Sequence, residues 1–156
     1  MITARWDGHE PTLPIPDPRP LGGLRDTPHR ETAHEPGELI TFVTLPPLSA
    51  GSKSVYLKLR DRASYEFALA SAAVVANVQQ GKIARIRIAL GGVGTKTWRS
   101  VEPEKALDGQ TANEEQFRTA AETALRNARP QSGNGFKVEL AKRCLVRALK
   151  LAARTA

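Results

Sequence analysis

Hydrophobic and polar positions alternate along the middle of the chain. Residues 54–60 alternate strictly, which predicts a strand with one buried face. The apolar positions of that strand are Val55, Leu57 and Leu59. Residues 39–45 are rich in β-branched and aromatic side chains and end at Pro46-Pro47, which predicts an earlier strand.

A hairpin is predicted over the next part of the chain, from about Phe67 to Leu90. Residues 67–78 are apolar except for Ser71 and Asn77, which alone fits a helix or a buried strand. The tight-turn sequence Gln79-Gln80-Gly81-Lys82 follows, and residues 83–90 are again β-branched with alternating arginines. A strand, a turn and a strand account for this order.

The period of the hydrophobic pattern becomes helical after the glycine-rich segment 91–94. Helices are predicted at 102–107, from Asn113 to the residues before Pro130, and from about Asn134 into the tail. Strands followed by helices indicate an α+β fold. We expect a small antiparallel sheet of three to four strands, packed on one face against about three helices.

The N-terminal part of the chain differs in composition. Nine of the eleven prolines lie in residues 1–47, and residues 11–20 have a proline at almost every second position. Proline removes backbone donors, so such a segment forms neither a helix nor a central strand. We therefore interpret residues 1–34 as an irregular or disordered leader and residues 35–153 as the domain.

Charge and reactive side chains limit the possible chemistry. Residues 1–52 hold four arginines and seven acidic residues, a net charge of −3, whereas residues 53–156 hold nineteen basic and nine acidic residues, a net charge of +10. All three histidines lie in the leader, and the single cysteine, Cys144, lies in a helical pattern as a small hydrophobe. The sequence thus offers no metal cluster, no Cys–His nucleophile and no self-contained acid–base pair.

Four blocks, in order, resemble the flavoprotein subunit of xanthine, aldehyde and carbon monoxide dehydrogenases, the molybdenum hydroxylases. The most distinctive block is residues 56–71, YLKLRDRASYEFALAS, which is similar to a Y-x-K-x-R-x-R-x-S-Y-x-F-A-L signature. The other blocks are EPGELIT at 35–41, IALGGV with a following K and WR at 88–99, and FKVELAKR at 136–143. The resemblance covers roughly residues 26–150.

This resemblance implies a fold like the carbon monoxide dehydrogenase flavoprotein C-terminal domain, standing beside FAD. It implies a flavin-facing role for Lys58 and Arg62, because fixed cations stabilise the negative charge of reduced flavin. It also implies partner subunits that carry the iron–sulfur clusters and the molybdopterin, so that the chain is an oxidoreductase component without a catalytic residue of its own. We expect that this sequence lacks the family's N-terminal FAD-binding domain and that the chain alone binds FAD weakly or not at all.

A second interpretation comes from the basic C-terminal region. Arg143, Arg147, Lys150 and Arg154 fall on one helix face and would suit a nucleic acid or an acidic partner subunit. Aromatic residues make up only 5% of the chain, and no RNA-binding signature is present. From its composition we expect a cytoplasmic protein that lacks a membrane span.

Overall fold

A computed structural model of the chain describes residues 2–5, 12–13, 39–43, 47–94, 97–99 and 101–154. The chain divides into two compact units, Met1–Leu48 and Ser49–Ala156. The second unit therefore begins later than residue 35, where the sequence placed the start of the domain.

The first unit contains a three-stranded antiparallel sheet in the order β2-β1-β3. Its strands are β1 (Ile2–Arg5), β2 (Thr12–Leu13) and β3 (Leu39–Val43). Two of them lie within residues 1–34, so the prediction of a wholly irregular leader is wrong for those segments. The proline argument holds for β2, which lies at the sheet edge between Pro11 and Pro14, where missing backbone donors are tolerated. The rest of the leader and the predicted turn at 35–38 lie outside the described residues.

The second unit is built on a separate three-stranded antiparallel sheet in the order β4-β5-β6. Its strands are β4 (Ser52–Leu59), β5 (Ala70–Gln79) and β6 (Lys82–Gly91). The predicted strand at 39–45 is present as β3 but belongs to the other sheet, so this sheet has three strands. The turn of the β5–β6 hairpin is as predicted, with Gln80 and Gly81 at positive φ.

Three helices follow the sheet, as predicted. They are α1 (Val101–Leu107), α2 (Glu114–Leu125) and α3 (Phe136–Ala153). The Asn113 side chain accepts a hydrogen bond from the Gln116 N–H at 2.9 Å and so caps the start of α2. Leu145 and Leu149 of α3 are almost completely buried and belong to one hydrophobic core with the helix-facing side of the sheet.

The outer edge of β6 is covered by backbone and by one carboxylate. Leu90 and Trp98 exchange two backbone hydrogen bonds of 2.8 Å, and Lys82 forms a bridge with Thr111. Between these bridges, the Glu104 carboxylate accepts a hydrogen bond from the Ile88 N–H at 2.9 Å. The Glu104 side chain is only 3% exposed, and it is held by the guanidinium groups of two arginines, Arg99 and Arg87.

Candidate functional site

The candidate site lies on the sheet face that the helices leave open. Cross-strand register puts Tyr56 of β4 opposite Ala73 of β5, and Ala73 opposite Ala89 of β6. Tyr56 is 66% exposed, Ala73 is exposed and Ala89 is half-buried. Within residues 49–154 the middle of this face is therefore a shallow floor of small side chains beside an exposed tyrosine.

Lys58 lies on the same open face, two residues further along β4. Its register partner on β5 is Ser71, and the register partner of Ser71 on β6 is Gly91. A Cβ at Gly91 would lie 2.6 Å from the Ser71 Oγ, so only glycine leaves room for that hydroxyl. The Lys58 side chain thus leaves β4 beside a row of small residues, and it is half-buried.

The β4–β5 loop, residues 60–69, folds back over the end of this row. Its base is closed by a hydrogen bond of 2.9 Å from the Leu69 N–H to the Leu59 carbonyl. The Lys58 ammonium donates to the Glu66 carbonyl at 2.5 Å. The predicted hairpin therefore starts at Ala70 rather than at Phe67, because the loop holds Phe67 outside the sheet, where it is 94% exposed.

Arg62 lies in the same loop and touches Glu66 in a different way. Its main-chain N–H donates to the Glu66 carboxylate at 2.8 Å. Among the described residues, its guanidinium makes no hydrogen bond or ion pair, and the side chain is exposed. The structure thus brings both predicted site residues, Lys58 and Arg62, to Glu66, although only Lys58 uses its own charged side chain in the contact.

Glu66 is the residue that the sequence did not single out. A lone glutamate between two aromatic residues gives no signal of its own, because its contacts depend on the path of the loop. The spacing of four residues from Arg62 is the one available hint, since a carboxylate can accept from a nearby main-chain N–H in a turn. The loop also borders an open cleft of about 590 Å³, whose lining includes Lys58 and Arg62 as well as the apolar side chains of Leu59, Leu69 and Leu140.

The glycine-rich segment after β6 packs closely against the β4–β5 loop. Gly92 has a φ of +72°, and a Cβ there would lie 2.7 Å from the Ala68 carbonyl oxygen. The Lys137 ammonium, from the first turn of α3, donates to the Gly92 carbonyl at 3.1 Å. This segment therefore fixes the end of β6 against the loop beside Lys58.

The basic face of α3 is partly neutralised within the chain. Arg143 pairs with Glu139 at 2.7 Å, and Lys150 pairs with Glu114 at 2.6 Å. Hydrogen bonds from Lys150 and Arg118 lower the pKa of Glu114 to about 2. Such pairing is typical of a solvated helix face and leaves few free cations for a nucleic acid backbone.

Reactive groups elsewhere in the described residues give no second site. Cys144 is buried, and this burial raises the pKa of its thiol to about 11, so it remains a neutral core side chain as predicted. Within those residues, no group of three His, Cys, Asp or Glu side chains could hold a metal ion. In the same part of the chain, none of the helices combines the length and the apolar character that a membrane span requires.

Several proteins of known sequence and structure are similar to this chain. It is 46% identical over 123 residues to the aldehyde oxidoreductase FAD-binding subunit PaoB of Escherichia coli, covering 79% of the chain and 35% of that protein. It is 32% identical over 118 residues to the glyceraldehyde dehydrogenase medium chain of Sulfolobus acidocaldarius, covering 73% of the chain and 41% of that protein. The chain thus spans well under half the length of these curated relatives.

Solved structures agree with the sequence matches. A chain of the reconstituted CO dehydrogenase from Oligotropha carboxidovorans superimposes with a TM-score of 0.72 at 31% identity, covering 80% of this chain and 45% of the other. The family model of the CO dehydrogenase flavoprotein C-terminal domain matches residues 55–152, which include β5, β6, α1, α2 and most of β4 and α3. The α+β fold and the resemblance predicted from the sequence are confirmed, and the chain belongs to the CO dehydrogenase flavoprotein C-terminal domain family.

Proposed function

We propose that this chain forms one wall of the FAD site in an oxidoreductase of the molybdenum hydroxylase type. The observation that carries the proposal is the half-buried Lys58 side chain beside the small-residue floor of the open sheet face. A planar ring system needs a flat surface without bulky side chains, and Ser71, Ala73 and Gly91 supply one. The similarity to PaoB, named an FAD-binding subunit, supports FAD as the group that this surface faces.

In the proposed assembly, FAD is held mainly by an FAD-binding domain that lies outside residues 49–154. When bound, FAD supplies two-electron redox chemistry and accepts electrons from iron–sulfur clusters for delivery to an acceptor. We assign the iron–sulfur clusters and the molybdopterin to two partner subunits. This chain contributes no catalytic residue; it positions charge and excludes water on one side of the ring.

Lys58 is assigned the main electrostatic role and Arg62 a smaller one. The Lys58 residue is half-buried and its ammonium is bound to the Glu66 carbonyl, so its charge is less screened by water than that of an exposed side chain. A cation fixed near the ring favours the reduced, more negative state. The Arg62 side chain is exposed, so water and salt screen its charge more strongly. Its removal should therefore change the flavin potential less than removal of Lys58.

The test is a chimera in which residues 49–154 replace the matching C-terminal segment of PaoB. We expect the purified chimera to retain FAD. Lys58→Met should make the flavin midpoint potential more negative by about 30–60 mV, because a hydrogen bond to a charged group contributes about 1.5–3 kcal/mol. Lys58→Arg should restore part of that shift, and spectroelectrochemical titration measures each value.

Lys53→Met is the matched control for this experiment. Lys53 lies at the opposite end of the same strand, where its ammonium contacts the Arg154 carbonyl, so its loss should leave the potential unchanged. A folded chimera without FAD would contradict the proposal. So would equal potentials for Lys58→Met and Lys53→Met.

A further inference from the structure

Glu66 contacts both strand β4 and the first half of the β4–β5 loop. Its carbonyl accepts from the Lys58 ammonium at 2.5 Å, and its carboxylate accepts from the Arg62 N–H at 2.8 Å. Through these two contacts, Glu66 links the second half of the loop both to β4, which carries Lys58, and to the first half of the loop, which carries Arg62. The residue is half-buried, whereas its neighbours Tyr65 and Phe67 are almost fully exposed.

The backbone next to Glu66 is strained. Tyr65 has a φ of +52°, and bulky residues rarely adopt this left-handed conformation. The Tyr65 side chain is 96% exposed, so packing of that side chain does not offset the strain energy. The two contacts of Glu66 help to hold the loop in this conformation, together with the Leu59–Leu69 hydrogen bond at its base.

We propose that Glu66 is a positioning residue, which fixes the Lys58 ammonium and the β4–β5 loop in one arrangement. With the carboxylate bound to the Arg62 N–H, the Glu66 carbonyl points toward β4 and receives the ammonium. Without the carboxylate, the strained turn at Tyr65 relaxes, and the carbonyl no longer faces Lys58. The consequence at the flavin, a displaced positive charge, rests on the proposed function.

Limited proteolysis of the full chain tests the loop directly, without FAD. Trypsin cuts after Arg60 and Arg62, and cleavage tracks the population of the open loop when closing is fast. We expect Glu66→Ala to raise the cleavage rate at these two sites by about five- to tenfold, the effect of losing one capping hydrogen bond. Glu66→Gln keeps an acceptor oxygen and should stay within about twofold of the wild type.

Coupling between the two contacts is measured with a second variant. Lys58→Met should raise the same cleavage rate by about fivefold, and the double variant should be slower than the product of the two effects, because both act on one arrangement. Glu122→Ala, which removes an exposed ion pair with Lys142, is the matched control and should change nothing at these sites. Synthetic peptides spanning residues 56–70 correct for trypsin's own sequence preference.

In the proteolysis experiment, the proposal is overturned by unchanged cleavage in Glu66→Ala or by single effects that simply multiply in the double variant.

The PaoB chimera separates the positioning role of Glu66 from the proposed function. There, Glu66→Ala should shift the flavin potential in the same direction as Lys58→Met, and Glu66→Gln should not. If cleavage responds as expected while neither variant changes FAD content or potential, the positioning role stands and the flavin assignment fails. If Lys58→Met alone shifts the potential, the flavin assignment stands and the positioning role fails.

Discussion

The two faces of the β4–β6 sheet come from the same three strands and carry opposite chemistry. On the face covered by helices, Ala72 and Val74 of β5 are at most 1% exposed and face the apolar side of α3. On the open face, the alternate residues Ala73 and Val75 are exposed and half-buried. Most charged side chains of the strands, such as Lys58, lie on this second face, whereas Lys53 lies opposite buried Ala76 on the covered face.

Within each strand, residues on the covered face therefore contribute mainly to stability, and residues on the open face contribute mainly to binding. Substitutions on the covered face remove core contacts and should lower the free energy of unfolding. Substitutions on the open face remove fewer contacts, so they should lower the free energy of unfolding less and chiefly alter what the face binds. The following predictions test that division.

The largest expected effect concerns Glu104, which holds the outer edge of β6, a strand that contributes to both faces. Glu104→Ala leaves the Ile88 N–H and two arginines without their acceptor. We expect a loss of about 3 kcal/mol in the free energy of unfolding, measured by urea titration. Glu115→Ala, at an exposed position of α2, should change it by less than about 0.5 kcal/mol. Equal losses in the two variants would show that the edge of β6 does not need the carboxylate.

The next prediction compares two neighbours of the same residue type on opposite faces. Val74→Ala should cost about 2 kcal/mol, because it removes two buried methyl groups and leaves a cavity. Val75→Ala should cost less than about 1 kcal/mol, because that side chain is already partly in water. Urea unfolding of the matched pair gives the difference, and similar losses would break the distinction between the faces.

The smallest expected effect lies on the helix surface and depends on pH. Lys150 and Arg118 lower the pKa of Glu114 from its usual 4.5 to about 2 in the folded chain. A lowered pKa stabilises the fold above the unfolded value, and that stabilisation is lost as the pH falls from 4.5 towards 2. Glu114→Gln should therefore unfold at a slightly lower urea concentration than the wild type at neutral pH. The gap should close on acidification and in high salt; a gap independent of pH would exclude the ion pairs as its cause.

Much of the fold follows from the sequence because periodicity reports which side of an element is buried. The alternation at Val55, Leu57 and Leu59 and the apolar stripe of α3 gave the correct faces. The start of β5 was wrong because Phe67 continues the apolar run. Only the closure of the loop between Leu59 and Leu69, a contact between separate segments, removes Phe67 from the sheet.

The candidate site was only partly predictable for the same reason. The resemblance indicated Lys58 and Arg62, but the pattern of residues says nothing of a main-chain carbonyl as a partner for an ammonium. Glu104 was missed because a charged residue in a short helix is usually exposed. Its burial depends on an unpaired edge strand and on arginines from two other segments.

The covered outer edge of β6 also decides how the sheet can grow. Trp98, Glu104 and Thr111 occupy backbone positions that an incoming strand from another molecule would need. A strand edge without such cover is a template for intermolecular pairing, fibril formation and exchange of elements between copies. At β6 these backbone groups are already bound by residues of the same chain, so they are not open to a strand from a neighbouring molecule. High concentrations in a cell should therefore not drive strand-to-strand association along this side of the fold.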